Sequence, residues 1–311
     1  MGAAIDALQQ AGIKVVSVAS QSPLDQPDGP IETYLASLHL HEALSGIVNR
    51  LRLPFVHTPD PNDPAAITAI KQTTANAVLS VSAPIIRANF LQAFDGLVFN
   101  IHGSKRYRGR AGLSWLILND DQMCEDAWVL HWIDTGIDTG ASIVEQRFKW
   151  PTTAYPIDIM SAQRATLPRL AAAFSAAIAT DLVASTAQFG ARPYFPALKT
   201  EIDGKIDWRW TSSEIERCVR AFGWPYAGAK TTIVSPDRQP KCDIHVARAR
   251  IGTAGSVHPL GCGVVLAHSK NGPAEIACQD GSVLIETVRD GVGEQPAGDV
   301  IRVGCRLTDG G

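Results

Sequence analysis

The strand-like run GLVFNIH ends on Asn100 and His102, and the Gly-rich stretch DTGIDTG farther along carries Asp138. Side chains two apart on a strand point to one face, so Asn100 and His102 can enter the same cleft. Acyl transfer to an amine asks for these three residue types together. The amide donates to the developing oxyanion, the imidazole handles a proton, and the carboxylate holds and charges the imidazole. Directly behind His102 come Lys105, Arg106, Arg108 and Arg110, cations suited to a phosphate-bearing acceptor or, equally, a solvated basic loop.

The elements around these residues point to an α/β fold. IKVVSVAS (13–20), LPFVHT, AVLSVS and GLVFNIH alternate with helical patterns in IETYLASLHLHEALSGIVNRL and PAAITAIKQTT. Such alternation predicts a parallel-rich, Rossmann-like sheet with ligands at the carboxyl ends of its strands, where Asn100 and His102 lie. AWVLHWIDTGIDTGASIVEQRF reads as a hairpin with a polar Gly-rich tip, and the Ala-rich run from Ile157 to Ser185 as a covering helix kinked at Pro168. The chain opens on a helical pattern leading into a strand. A doubly wound domain normally starts with a central strand, so either this start is truncated or mis-assigned or the sheet lacks the first strand that would sit in its middle.

Pro and Gly cluster between 188 and 207, which sets a catalytic domain at 1–190, a linker at 191–207 and a β-rich domain at 208–311. Within the last, SSEIERCVRAF reads as a helix with Ser213 and Glu216 as a capping box, and AKTTIV, CDIHVARARI, GVVLAH, AEIACQ, SVLIETV and VIRVGCRL as strands of a small OB-like barrel.

A net charge of -3 provides no global field for DNA or an anionic membrane. No apolar run reaches the roughly 20 residues of a membrane helix, and Met1 is not followed by a signal-peptide pattern, so a cytoplasmic location is expected. The six cysteines form no C-x-x-C pair and are expected to be buried thiols. HLHE (39–42) lacks the helical i, i+4 His pair, so no metal is expected. Trp115, Trp128, Trp132 and Trp150 are read as core or supporting residues.

The order N-x-H, RYRG and D-x-G-[IL]-D-T-G, followed by IDW (206–208), a helix ending RAF, and WPYAGA (224–229), resembles the formyltransferase family that uses 10-formyltetrahydrofolate. That family includes methionyl-tRNA, glycinamide ribonucleotide and nucleotide-sugar N-formyltransferases. The resemblance implies that Asn100, His102 and Asp138 are catalytic, and that the folate lies against Ser82, Ala83, Pro84, Ile85 and Ile86 on one side and His131, Asp134, Thr135 and Gly136 on the other. No metal is implied. Acceptor contacts are assigned to Ser104, Arg106, Arg108 and Gly109. Where the family reads H-P/A-S-L-L-P before R-[YW]-R-G, this chain has GSKRYRG, two residues shorter and without the Leu-Pro pair.

The acceptor is the open half of the reading. Methionyl-tRNA would require basic surface, yet Gln21–Tyr34 carries Asp25, Asp28 and Glu32 with neither Lys nor Arg, and residues 200–311 hold 13 Lys and Arg against 14 Asp and Glu. A small-molecule amine is therefore favoured, either an amino sugar on a nucleotide or the N-hydroxy amine of a modified amino acid. Transfer to initiator tRNA is the alternative, and a non-catalytic relative lacking its first strand is a third reading. The oligomeric state is left open, with a homodimer as one expectation.

Overall fold

The structure is a computed structural model that describes residues 1–82, 84–119, 123–180, 185–188, 194–237, 239–290 and 293–309. The chain divides into two compact units, one of 1–112, 125–150 and 160–195, the other of 113–124, 151–159 and 196–311. Residues 191–193 of the expected linker lie outside the described residues.

In chain order the first part comprises α1 (Gly2–Gln10), β1 (Val18–Ser20), α2 (Pro30–Ser37), α3 (Leu44–Leu51), β2 (Phe55–His57), α4 (Pro64–Gln72), β3 (Val78–Val81), α5 (Ala88–Ala93), β4 (Val98–His102), β5 (Arg108–Gly109), α6 (Gly112–Leu118), β6 (Glu125–Trp132), β7 (Ser142–Lys149), α7 (Pro156–Ala165), α8 (Leu167–Ala179) and β8 (Tyr194–Phe195). The site-bearing sheet runs β3-β4-β6-β7, while β1 and β2 pair with each other in a separate parallel ribbon. Only β3–β4 is parallel in the four-stranded sheet; β4–β6 and β6–β7 are antiparallel. The parallel-rich expectation thus holds for the strands up to β4. It stops where the β6–β7 hairpin reverses the chain too quickly for a crossover helix.

Alternation along β4 separates core from site. Phe99 and Ile101 enter a cluster with Leu8, Leu130, Leu170 and Phe174, burying α1 and α8 against one face. Val98 enters a second cluster with Ile67, Ile70, Phe90 and Phe94 on the α4–α5 face. Asn100 and His102 share that second face and remain only partly buried.

Several local expectations change. The strand read from Ile13 begins only at Val18, and the single helix read over IETYLASLHLHEALSGIVNRL is two, α2 and α3, flanking the HLHE segment. His39 there has φ +57, a left-handed conformation that breaks helix propagation. The long Ala-rich helix divides at Thr166 into α7 and α8, because Pro168 occupies the first turn of a new helix, where its missing N–H costs nothing. Cys242 is exposed and Cys124 half-buried, so the thiols are not uniformly in the core.

The second part continues with α9 (Thr200–Asp203), α10 (Ser212–Ala221), β9 (Ala229–Val234), β10 (Pro240–Ile251), β11 (Val265–His268), β12 (Ala274–Cys278), β13 (Gly281–Asp290), β14 (Gly293–Pro296), α11 (Ala297–Val300) and β15 (Arg306–Thr308). Its antiparallel sheet runs β11-β12-β13-β10-β9-β15, with β14 beside β13. An isolated Val264–Arg306 bridge brings its two ends together, leaving a nearly closed barrel. The capping box of α10 is Thr211 with Glu214, two residues earlier than expected. Asp280 accepts the Ser212 N–H at 2.6 Å, tying the helix start to the β12–β13 turn. In the WPYAGA segment, Arg289 lies 3.7 Å over the Trp224 ring and donates to the Tyr226 and Ala227 carbonyls.

Candidate active site

Register brings the site together. Asn100 on β4 lies directly opposite His131 on β6, an antiparallel pair whose side chains share one face. The β6–β7 turn then delivers Asp138, held at φ +51, back over the end of β4. Asp134 braces that turn by accepting the Gly136 N–H at 3.0 Å and the Thr139 hydroxyl at 2.6 Å.

Asp138 is the hub. Its Oδ1 accepts from Asn100 Nδ2 at 3.2 Å and lies 3.6 Å from His131 Nε2. Its Oδ2 accepts the Gly109 N–H at 2.9 Å and lies 3.4 Å from His102 Nδ1. Burial pushes the Asp138 carboxyl up, but its polar contacts outweigh burial and hold the group below the usual carboxylate range. It is therefore an anion at neutral pH, with its lone pairs committed on both oxygens.

The histidines differ in their surroundings. His102 Nε2 faces the Tyr107 carbonyl at 2.6 Å while its Nδ1 faces Asp138, so both ring nitrogens meet oxygen acceptors. His131 Nδ1 donates to the Trp132 carbonyl at 2.7 Å, leaving Nε2 to accept from Asn100 Nδ2 at 3.2 Å. Both amide hydrogens of Asn100 are thus engaged, one by His131 and one by Asp138.

The segment assigned to the folate follows β3. Ser82 has φ +56, Ile85 is 62% exposed and Ile86 is buried; Ala83 lies outside the described residues. A residue that sequence reasoning missed fixes this segment. Asn62 Nδ2 donates to the Ile85 carbonyl at 2.9 Å, and its Oδ1 accepts the Arg87 N–H at 2.7 Å. The side-chain amide therefore stands in for a neighbouring strand. It sits more than 20 positions away in sequence, and only a Pro-Asn-Asp loop signal marks it. The opposing groups, Asp134, Thr135 and Gly136, are exposed.

In the basic strap, Ser104 is buried with its hydroxyl on Asp126, and Lys105 pairs with Glu145 at the surface. Arg108 Nε is buried with no hydrogen-bond partner among the described residues. Gly109 has φ +96, and a Cβ there would stand 2.3 Å from the Phe195 carbonyl, so only glycine fits.

The fold is similar to that of several solved formyltransferase structures. It is similar to an N-formyltransferase from Helicobacter canadensis in complex with folinic acid and dTDP-3-aminofucose, at 17% identity, with 91% of this chain and 94% of that one covered and a TM-score of 0.62. It is also similar to WlaRD, a sugar 3N-formyl transferase in the presence of dTDP and 5-N-formyl-THF, at 17% identity, 91% and 92% coverage and a TM-score of 0.60. HypX from Aquifex aeolicus in complex with tetrahydrofolic acid aligns at 14% identity and a TM-score of 0.56 over 91% of this chain, which spans 46% of the HypX length. Residues 199–301 match the family model described as formyl transferase, C-terminal domain. The formyltransferase resemblance read from the sequence is borne out, as are the α/β N-terminal part and the β-rich C-terminal part.

Proposed function

We propose that the protein transfers a formyl group from 10-formyltetrahydrofolate to the amine of a small phosphate-bearing acceptor, an amino sugar on a nucleotide. The observation that carries this reading is the convergence of Asn100, His102 and the Gly109 N–H on the Asp138 carboxylate. The proteins of like fold named above were solved with folates and with nucleotide or nucleotide-sugar ligands, which agrees with it.

The residues suit a folate. Ile85 offers an exposed apolar side chain beside backbone pinned by Asn62, and His131, Asp134, Thr135 and Gly136 line the other wall. The folate supplies the formyl carbon as electrophile. Asn100 then faces the charge that grows on the formyl oxygen, and His102 adds a second donor there only through Nδ1, by exchanging its Asp138 contact, while Nε2 stays on the Tyr107 carbonyl. Both Asn100 amide hydrogens are engaged, so its donation to that oxygen exchanges the Asp138 contact. Asp138, an anion held below its usual range, takes the proton lost by the attacking amine, directly or through His102 Nδ1, and that proton passes to the donor nitrogen as its bond to the formyl carbon breaks. Arg108, aided by Arg106, meets the acceptor phosphates.

The test is incubation with 10-formyltetrahydrofolate and nucleotide-linked amino sugars, read by mass spectrometry for the gain of one CO on the acceptor. Loss of that gain in His102→Ala and Asp138→Asn is expected. A well-folded sample that formylates initiator methionyl-tRNA but no amino sugar would move the acceptor to tRNA, and one that binds no folate by calorimetry would end the enzymatic reading.

A further inference from the structure

Asp126 is a buried carboxylate on β6 with no part in the chemistry above. Its Oδ2 accepts the Ser104 hydroxyl at 2.5 Å, and its Oδ1 accepts the N–H groups of Lys105 at 3.0 Å and Ala127 at 2.8 Å. Ser104 Oγ in turn accepts the N–H groups of Arg106 at 3.2 Å and Tyr107 at 3.1 Å. A hydroxyl has one hydrogen and two lone pairs, so Ser104 is saturated. The Tyr107 carbonyl, on the residue held by this hub, is the group that meets His102 Nε2 at 2.6 Å. Three hydrogen bonds, by way of Ser104 and Tyr107, therefore connect a buried carboxylate to the ring that faces Asp138.

Burying an anion is costly unless it is fully hydrogen-bonded, and burial does push the Asp126 carboxyl up, against the pull of Ser104 and the two peptide N–H groups. An apolar residue would fill a sheet position more cheaply. The strap it organises is the one that departs from the family pattern, shorter by two residues and lacking the Leu-Pro pair. Without those stiffening residues, the short GSKRY turn needs another device to fix its peptide groups.

We propose that Asp126 is a positioning residue of the transfer site, holding the His102 ring in register with Asp138 through Ser104 and the Tyr107 peptide. The proposal rests on the formyl-transfer reading for its catalytic consequence but not for its structural one. Loss of the Asp126 carboxylate frees the Ser104 rotor and leaves the Tyr107 carbonyl without its brace, and His102 Nε2 loses a fixed acceptor.

The test uses Asp126→Asn and Ser104→Ala in the full chain, with Glu145→Gln, which breaks only the surface pair to Lys105, as control. Asparagine keeps an acceptor for Lys105 and Ala127 but turns an N–H toward a Ser104 oxygen that has no free lone pair. Nitrogen-15 NMR of the histidine rings, assigned with His102→Gln, is expected to show a slowly exchanging Nε2–H for His102 in the wild type and in Glu145→Gln. Both relay variants are expected to lose it. Misplacement of an orienting group costs of order 10²-fold in favourable cases, so kcat is expected to fall at least about tenfold while the donor KM stays within about twofold. An unchanged Nε2–H signal in folded Ser104→Ala overturns the proposal, even should Asp126→Asn fail to fold. Loss of the signal in a protein that transfers no formyl group leaves the relay standing and removes the formyl-transfer reading alone.

Discussion

His131 Nε2 accepts from Asn100 Nδ2 at 3.2 Å because the Trp132 carbonyl holds the other ring nitrogen at 2.7 Å. That bond decides which way the Asn100 amide faces. A flipped amide would aim its carbonyl at both the His131 lone pair and the Asp138 anion. His131→Ala removes one constraint and leaves Asn100 free to sample both orientations. We expect kcat to fall roughly 10- to 100-fold, as for loss of an oxyanion donor, with the thermal midpoint little changed; steady-state kinetics beside a melting curve decides this.

The Asn62 clamp gives a second, separable effect. It pins Ile85 and Arg87 by two hydrogen bonds, so Asn62→Ala loosens the donor wall without touching Asn100, His102 or Asp138. The donor KM is expected to rise about tenfold, equivalent to about 1.4 kcal/mol, with kcat within about threefold. A fall in kcat at unchanged KM would show that Asn62 serves the reacting groups instead.

Gly109 tests the geometry of the strap. Alanine there would have to hold φ +96 with its Cβ 2.3 Å from the Phe195 carbonyl. We expect a loss of at least about 1–2 kcal/mol of stability from the left-handed strain alone, read from urea denaturation. Wild-type stability in Gly109→Ala would mean that β5 does not adopt this conformation in solution.

The sequence displayed what depends on neighbouring positions. The period of two in GLVFNIH placed Asn100 and His102 on the face opposite Phe99 and Ile101, and the Gly-rich DTGIDTG tip placed Asp138 on a hairpin. The contributions that escaped it all join distant segments. Asn62 reads as a loop residue until Ile85 and Arg87 are beside it, and Asp126 reads as a strand residue until Ser104 reaches it. The opening strand is shorter than its pattern predicts because IKVV is as apolar as a strand, whereas pairing needs a partner, which only Val18 to Ser20 find in Phe55 to His57. The helix cap was misplaced because TSSEIE contains two overlapping Ser/Thr-x-x-Glu patterns, and the bond from Asp280 to the Ser212 N–H favours the earlier one.

Asp138 carries a pH signature. Its carboxyl is held below the ordinary value despite burial, so its contribution to stability is fully present above the unfolded-state value of about 4 and is lost as pH falls through the folded-state value. The stability difference between wild type and Asp138→Asn should therefore shrink as pH falls below about 4. Urea titrations at stepped pH measure it, and a difference that grows on acidification would contradict the depressed value.

Arg108 bears on the acceptor. Its Nε is buried with no hydrogen-bond partner among the described residues, and burying a polar N–H without a partner is costly. On the proposed reading, Arg108 is the cation expected to meet an anion that arrives with the acceptor. Arg108→Ala should raise the KM for a nucleotide-linked amino sugar by about 10- to 100-fold, the worth of a charge-assisted hydrogen bond, and leave turnover of a phosphate-free amino sugar unchanged. Arg108→Lys should restore little, because a single ammonium does not reproduce the planar fork that grips phosphate oxygens in pairs. Equal losses on both acceptors would assign Arg108 to the strap's own architecture and leave the phosphates to other cations.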